Sequence, residues 1–183
     1  MIVTFRHFGS KDASELRDVV ADIHQDAYGQ KIAEGDRFAA EQAFMRRFDA
    51  YTQRDGFDLV IAYNDGWPIG QAWGWPLPAD TAWWDGLQTP VHPGYTDEDG
   101  TRTFALSELM VRQESAGQGI GHRLHDELLG SRPEQRATLL VRPTNHAYEA
   151  YRRWGWKTIG QLRPDIPDAP TFDVLMLELP LQR

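Results

Sequence analysis

Residues 115–129 read SAGQGIGHRLHDELL. Gly117, Gly119 and Gly121 alternate with Gln118 and Ile120, and the stretch runs directly into Ile120, Leu124 and Leu128, spaced four apart as on one helical face. Ordering glycine costs more backbone entropy than ordering any other residue. Glycines gathered at the mouth of a helix therefore imply that something needs the bare main chain. The first turn of a helix offers unpaired N–H groups and the positive end of a dipole. The guest expected there is an anion, and glycine lets a pyrophosphate approach the backbone closely. Just upstream, TFALSELMV (103–111) reads as a strand by composition. Strand, glycine turn and helix is the layout of a phosphate cradle. No Lys-Ser/Thr pair follows the glycines, and their G-x-G-x-G spacing differs from the dinucleotide fingerprint. The alternative is a tight strand-to-helix connection with no ligand.

Working outward, IVTFRHF (2–8) reads as a strand. DASELRDVVADIHQDAYG (12–29) reads as a helix, with Asp12 or Ser14 as its N-cap and Leu16, Val19, Val20, Ile23 and Ala27 on one face. A second helix is expected over about 37–54, with Ala40, Phe44, Phe48 and Tyr51 as its stripe. Phe57, Leu59, Ile61 and Tyr63 alternate at strand period. Asn64-Asp65-Gly66 is a hairpin turn signal, and 68–76 is the return strand. Residues 77–102 break all periodicity and predict a long loop or insertion. RATLLVRPT (136–144) reads as a strand buried on both faces. A helix over 146–154 and strands over 156–163 and 172–179 complete the chain. The order β α α β β β α β α β β predicts an α/β layered sheet, part antiparallel and part parallel.

The chain has 183 residues, 41% hydrophobic and 25% charged, the profile of a globular protein with a full core. No apolar run approaches the length of a membrane span, and the MIVTFRHFGS start lacks the pattern of a signal peptide. There is no cysteine, which excludes disulfides, thiolate metal sites and a thiol relay. A cytoplasmic location, without membrane attachment, is the expectation. The net charge of −8 argues against a general nucleic-acid binder.

LSELMVRQESAGQGIGHRLHDELL (106–129) resembles the acetyl-CoA-binding motif of the GNAT superfamily of N-acetyltransferases, Gln/Arg-x-x-Gly-x-Gly/Ala opening a helix after the fourth strand. It maps to Ala116–Gly121. Ala116 stands where the family often has Arg or Gln, which removes one side-chain contact to phosphate. NHAYEAYRRWGW (145–156) resembles the family's later motif, Asn-x-x-Ala-x-x-x-Tyr-x-x-x-Gly-Phe. Tyr151 stands four before Gly155, Ala147 four before Tyr151, and Trp156 takes the aromatic position, while Asn145 lies one residue nearer than usual. The two motifs fall in the family's order.

The resemblance implies one N-acetyltransferase domain over residues 1–183. Its fold would be a GNAT-like mixed, largely antiparallel sheet of about seven strands with about four flanking helices. A splayed pair of fourth and fifth strands would hold coenzyme A. Main-chain amides of Gly117, Gln118, Gly119, Ile120 and Gly121 would bind the diphosphate, with His122 and Asn145 in the cofactor-binding set. Backbone groups of Met110, Val111 and Arg112 would pair with the pantetheine as an added strand. The cosubstrate would be acetyl-CoA, the acceptor a primary amine of a small molecule or peptide, and transfer direct within a ternary complex. A homodimer fits the family.

That chemistry needs a base, because an ammonium ion cannot attack, and an acid for the leaving thiolate. Tyr151 matches the family's general acid, although Ala147, Ala150, Tyr151 and Trp154 share one helical face and would also suit a core role. Glu108, on the strand before the pantetheine segment, is the candidate base, directly or through water. The N–H of Leu109 or Met110 is the candidate oxyanion donor. His24 reads as structural, and His122 and His125 as partly exposed. No H-E-x-x-H pair occurs, and no metal is expected. Trp73, Trp75, Trp83 and Trp84 suit an acceptor pocket or simple core filling. With the acidic run 97–99, they suggest a cationic or aromatic acceptor. The rival reading is a catalytically silent module of the same fold that senses acyl-CoA or sequesters a small ligand.

Overall fold

Asp65 and Gly66 both adopt left-handed backbone, with φ of 49° and 84°. Such a two-residue turn twists in step with the strands it joins. It closes the hairpin of β2 (Asp58–Asn64) and β3 (Trp67–Pro76). These strands lie in a seven-stranded sheet with β1 (Val3–Phe8), β4 (Thr103–Val111), β5 (Arg136–Val141), β6 (Lys157–Leu162) and β7 (Phe172–Glu178), in the order β1-β2-β3-β4-β5-β7-β6. β4 and β5 are parallel, paired from Thr103↔Arg136 to Ala105↔Thr138. The β1/β2, β2/β3, β5/β7 and β6/β7 pairs are antiparallel. This computed structural model describes residues 2–182. It has five helices: α1 (Ser10–Glu15), α2 (Arg17–Ala33), α3 (Glu41–Tyr51), α4 (Ile120–Leu129) and α5 (Tyr148–Arg153). None among the described residues is long and apolar enough to cross a membrane.

The chain forms two compact units, and β4 contributes to both. One holds the residues up to Trp75 together with Leu106–Ser131; the other holds Pro76–Ala105 together with the chain from Arg132 onward. In the first, both faces of β2 are buried. Leu59 and Ile61 lie opposite Trp73 and Gln71, while Val60 and Ala62 lie opposite Ala72 and Gly70. The first face carries α2 and α3: the Gln71 amide donates to the carbonyl of Val20, and Trp73 meets Phe44 and Phe48. The other face carries α4, whose Ile120, Leu124 and Leu128 are all buried. Gly70 permits that packing. A Cβ there would stand 2.9 Å from the Met110 carbonyl oxygen and 3.0 Å from Leu124 Cδ1.

Two helix expectations need correction. The first helix breaks at Leu16, which leaves helical backbone at φ −99° and ψ 15°. Neither Asp12 nor Ser14 caps it; Gly9 is the N-cap, and the Ser14 hydroxyl bonds back to the carbonyl of Ser10. The next helix starts at Glu41, not at about 37, because the Asp36 carboxylate accepts the amides of Phe38 and Ala39 and holds that segment as a turn.

In the second unit, the unpatterned segment 77–102 is pinned at both ends and in its middle. Leu77 donates to Thr103 and Gly100 donates to Leu77. Gln88 donates to Gln161, Arg163 donates to Gly86, and Leu87 bridges Leu162. The insertion thereby covers the outer edge of β6, which would otherwise present unpaired backbone groups. Contact is close enough to demand glycine: a Cβ at Gly86 would lie 1.8 Å from the Arg163 carbonyl oxygen, and one at Gly160 2.5 Å from Thr89 Cβ. Inside this unit Glu98 is buried. Its Oε1 accepts from Trp84 Nε1 at 3.0 Å, Thr103 Oγ1 at 2.9 Å and Arg136 Nη2 at 3.2 Å.

Candidate active site

Strand alternation assigns the two sides of β4. The Arg112 amide donates to the Ile69 carbonyl on β3 at 2.8 Å. Backbone groups alternate sides along a strand, so those of Arg112 and Met110 turn toward β3, and those of Val111 and Leu109 turn away from it. Among the three residues expected to pair with a pantetheine, Val111 is the one whose main chain has this free orientation. Leu109, rather than Met110, presents its N–H on the same side. The Arg112 guanidinium is occupied within its own unit: it donates to the Pro68 carbonyl, pairs with Asp22 and lies over the Trp67 ring.

After a single 3₁₀ turn at Gln113–Ser115, the chain enters the glycine segment. Gly117 and Gly119 have φ of 74° and 77°, so their identity is set by left-handed backbone. A Cβ at either would meet nothing within 4 Å. Gly119 is the N-cap of α4, and its carbonyl accepts the Arg123 amide. The amides of the first helical turn, Ile120, Gly121 and His122, therefore have no partner inside the helix. Gln118 is exposed and its side chain folds back onto the Glu114 carbonyl. Bare main chain, open space and a ten-residue helix behind it fit an anionic carrier such as coenzyme A. An anion there gains about 0.3–1 kcal/mol from the dipole, and about 2 when partly buried.

Glu108 points to the face of β4 that bears Met110, whose sulfur lies 3.2 Å from Gln71 Nε2. This is the α2/α3 side. Burial pushes its carboxyl from an ordinary 4.5 up to about 7, opposed by the positive charge of Arg47 on α3. The same charge and burial act on His24 in α2, driving its imidazole down to about 4. His24 stacks flat on Phe44 at 3.8 Å, so its structural reading agrees with the geometry. Tyr51 stacks on Trp75 at 4.1 Å, and its hydroxyl is pushed up by burial and by the Glu108 charge. A carboxyl titrating near neutrality beside an aromatic wall can accept a proton from an incoming amine. His24, Arg47, Tyr51 and Gln71 escaped sequence reasoning as members of this group. The available signal was Glu108 itself, a carboxylate in register with Leu106 and Met110, both buried.

In the second unit, Tyr151 on α5 is buried, edge-on to Trp154 and Trp156 at 5.5 Å and 6.2 Å. The Asn145 side chain has a local job, accepting the Ala147 amide at the start of α5. Two expectations change. His125 is 1% exposed, because it lies on the inner side of α4. Trp73, Trp75 and Trp84 are buried, Trp73 and Trp75 packing against α3 and Trp84 donating to Glu98. The acidic run does not present Glu98 to a cationic acceptor, since Glu98 is buried on Arg136.

Comparison with known proteins bears on the fold. The family model described as acetyltransferase (GNAT) domain matches residues 94–165. No curated protein matches the chain. Among solved structures, PH1933 from Pyrococcus horikoshii is similar at 16% identity, over 98% of this chain and 100% of that one, with TM-score 0.66. The PaiA N-acetyltransferase of Thermoplasma acidophilum, solved with coenzyme A, shares 13% identity over 98% and 100%, with TM-score 0.58. The ribosomal-protein-S18-alanine N-acetyltransferase of Escherichia coli shares 17% over 100% and 96%, with TM-score 0.60. Residues 94–165 thus match an acetyltransferase (GNAT) domain, and the chain shares its fold with these solved structures.

Proposed function

We propose that the protein transfers the acetyl group of acetyl-CoA to a primary amine, by direct attack in a ternary complex. One observation carries this reading: a single strand, β4, bears a carboxyl that titrates near 7 and then leads into an open glycine turn at a helix N-terminus. An anionic cosubstrate and a neutral amine need those two features close together in sequence. The amides of Gly117, Gln118, Gly119, Ile120, Gly121 and His122 bind the diphosphate. Val111 and Leu109 offer main-chain groups to the pantetheine arm and the thioester carbonyl. Acetyl-CoA supplies the activated acetyl thioester. Glu108 takes the proton that the amine must lose, and Tyr151 donates a proton to the departing sulfur. Asn145 acts through the start of α5.

Tyr51 and Trp75, beside Glu108, favour an acceptor with an aromatic or cationic body, a small molecule or a peptide end. The test is thiol release from acetyl-CoA across a panel of primary amines, run alongside Glu108→Gln and Tyr151→Phe. Amine-dependent release, lost in the Glu108 variant, is expected. Tight coenzyme A binding with no release from any amine would instead favour a silent acyl-CoA sensor.

A further inference from the structure

We propose that His122, His125 and Asp126 on α4 form a binding site for a divalent transition metal, of which zinc is the best chemical match. His125 and Asp126 stand three and four residues after His122, so each meets His122 across one helical turn. Asp126 Oδ1 lies 2.8 Å from His125 Nδ1 and 3.5 Å from His122 Nε2, and the three potential ligand atoms all fall within 4.8 Å of one another. Bonds of about 2.0–2.1 Å in tetrahedral geometry separate zinc ligands by about 3.3 Å. The two measured distances fall on either side of that value, and rotations about the side-chain bonds that bring the two imidazole nitrogens together from within 4.8 Å would seat an ion.

The site is partly built in advance. His125 is 1% exposed and its ring is fixed by packing on the inner side of α4, with Nδ1 meeting the carboxylate. His122 and Asp126 are half exposed, so an ion can enter from solvent. Two imidazoles and one carboxylate suit zinc, with water completing the shell. Neighbouring charges on the helix are directed elsewhere. Arg123 turns to the Val3 carbonyl and the Phe5 ring, and Glu127 turns to His7. The sequence lacks H-E-x-x-H, yet its His122-Arg-Leu-His125-Asp126 run brings two imidazoles and a carboxylate together across one helical turn.

The site is tested by metal binding, without acetyl transfer. Chelator-treated full-length protein is titrated with zinc by calorimetry and with cobalt(II) by visible absorption. One equivalent per chain is expected, with the absorption of four-coordinate cobalt. Zinc should move the imidazole NMR signals of His122 and His125 and leave those of His7, His24, His92 and His146 in place. Asp126→Asn and His122→Gln should each weaken zinc by about tenfold or more, since even outer-shell changes cost that much. Their circular dichroism should match the parent. No saturable binding at millimolar zinc, or undiminished binding in the double variant, overturns the proposal.

Discussion

Glu108 and His24 titrate in opposite directions within one layer, and their effects on stability offset each other. Glu108 moves from 4.5 to about 7 on folding. Between those values the folded state holds a proton that the unfolded state has released, so Glu108 makes stability fall as pH rises. His24 moves from 6.5 to about 4. There the unfolded state holds the extra proton, so His24 makes stability fall as pH drops. At about 1.36 kcal/mol per pH unit, each group accounts for about 3 kcal/mol across its window. Where the windows overlap, between about pH 4.5 and 6.5, the two slopes cancel.

Removing one group exposes the other. Glu108→Gln should match the parent near pH 4.5 and be more stable by up to about 3 kcal/mol at pH 7.5 and above, while losing turnover by about a hundredfold or more. His24→Phe should leave only the Glu108 slope, losing stability as pH rises from about 4.5 to 7. Urea unfolding at about pH 4.5, 5.5, 6.5 and 7.5 reads both slopes directly. Stability profiles of the two variants that run parallel to the parent would refute the reasoning, because they would mean that neither group is shifted by burial. A gain in stability for Glu108→Gln with full activity would leave the shift intact and remove Glu108 as the base.

Other expectations are simpler. Tyr151→Phe should lower turnover at least about a hundredfold with unchanged coenzyme A affinity; full activity would remove Tyr151 from proton donation. Gly119→Val forces a branched side chain into left-handed backbone and should cost measurable affinity for coenzyme A by calorimetry, whereas unchanged binding would contradict the cradle. Glu98→Ala leaves the Arg136 charge buried and unpaired and should cost about 3–5 kcal/mol in urea unfolding; replacing both by apolar residues of similar size should cost much less. Gly86→Ala brings a methyl group against the Arg163 carbonyl, so a melting temperature equal to the parent's would show that the insertion does not grip β6 as described.

What the sequence made legible was periodic or local. The strand over 103–111 coincides with β4, and Ile120, Leu124 and Leu128 are buried as their spacing demanded. Asp65-Gly66 forms the turn its composition required. These features depend on neighbours within a few positions. The break at Leu16 and the late start of α3 were missed for the same reason in reverse: short side-chain bonds, Ser14 to Ser10 and Asp36 to Phe38 and Ala39, compete locally with the helix without disturbing the apolar stripe.

The chemistry of the site was legible only as far as a strand and its following turn could carry it. Glu108 was visible as a carboxylate on the right strand. Its readiness to accept a proton was not, because that property comes from burial, opposed by a charge on Arg47, sixty-one positions away in the chain. Burial is the larger influence on both groups, and Arg47 lowers Glu108 and His24 together, offsetting burial at the one and adding to it at the other. Replacing Arg47 with glutamine should therefore move both titrations upward at once. The pH at which activity half-develops would rise, and the stability that His24 costs on acidification below about pH 6.5 would shrink, because its folded value would move back toward the unfolded one. A change in one without the other would mean that the two groups do not share the field of Arg47.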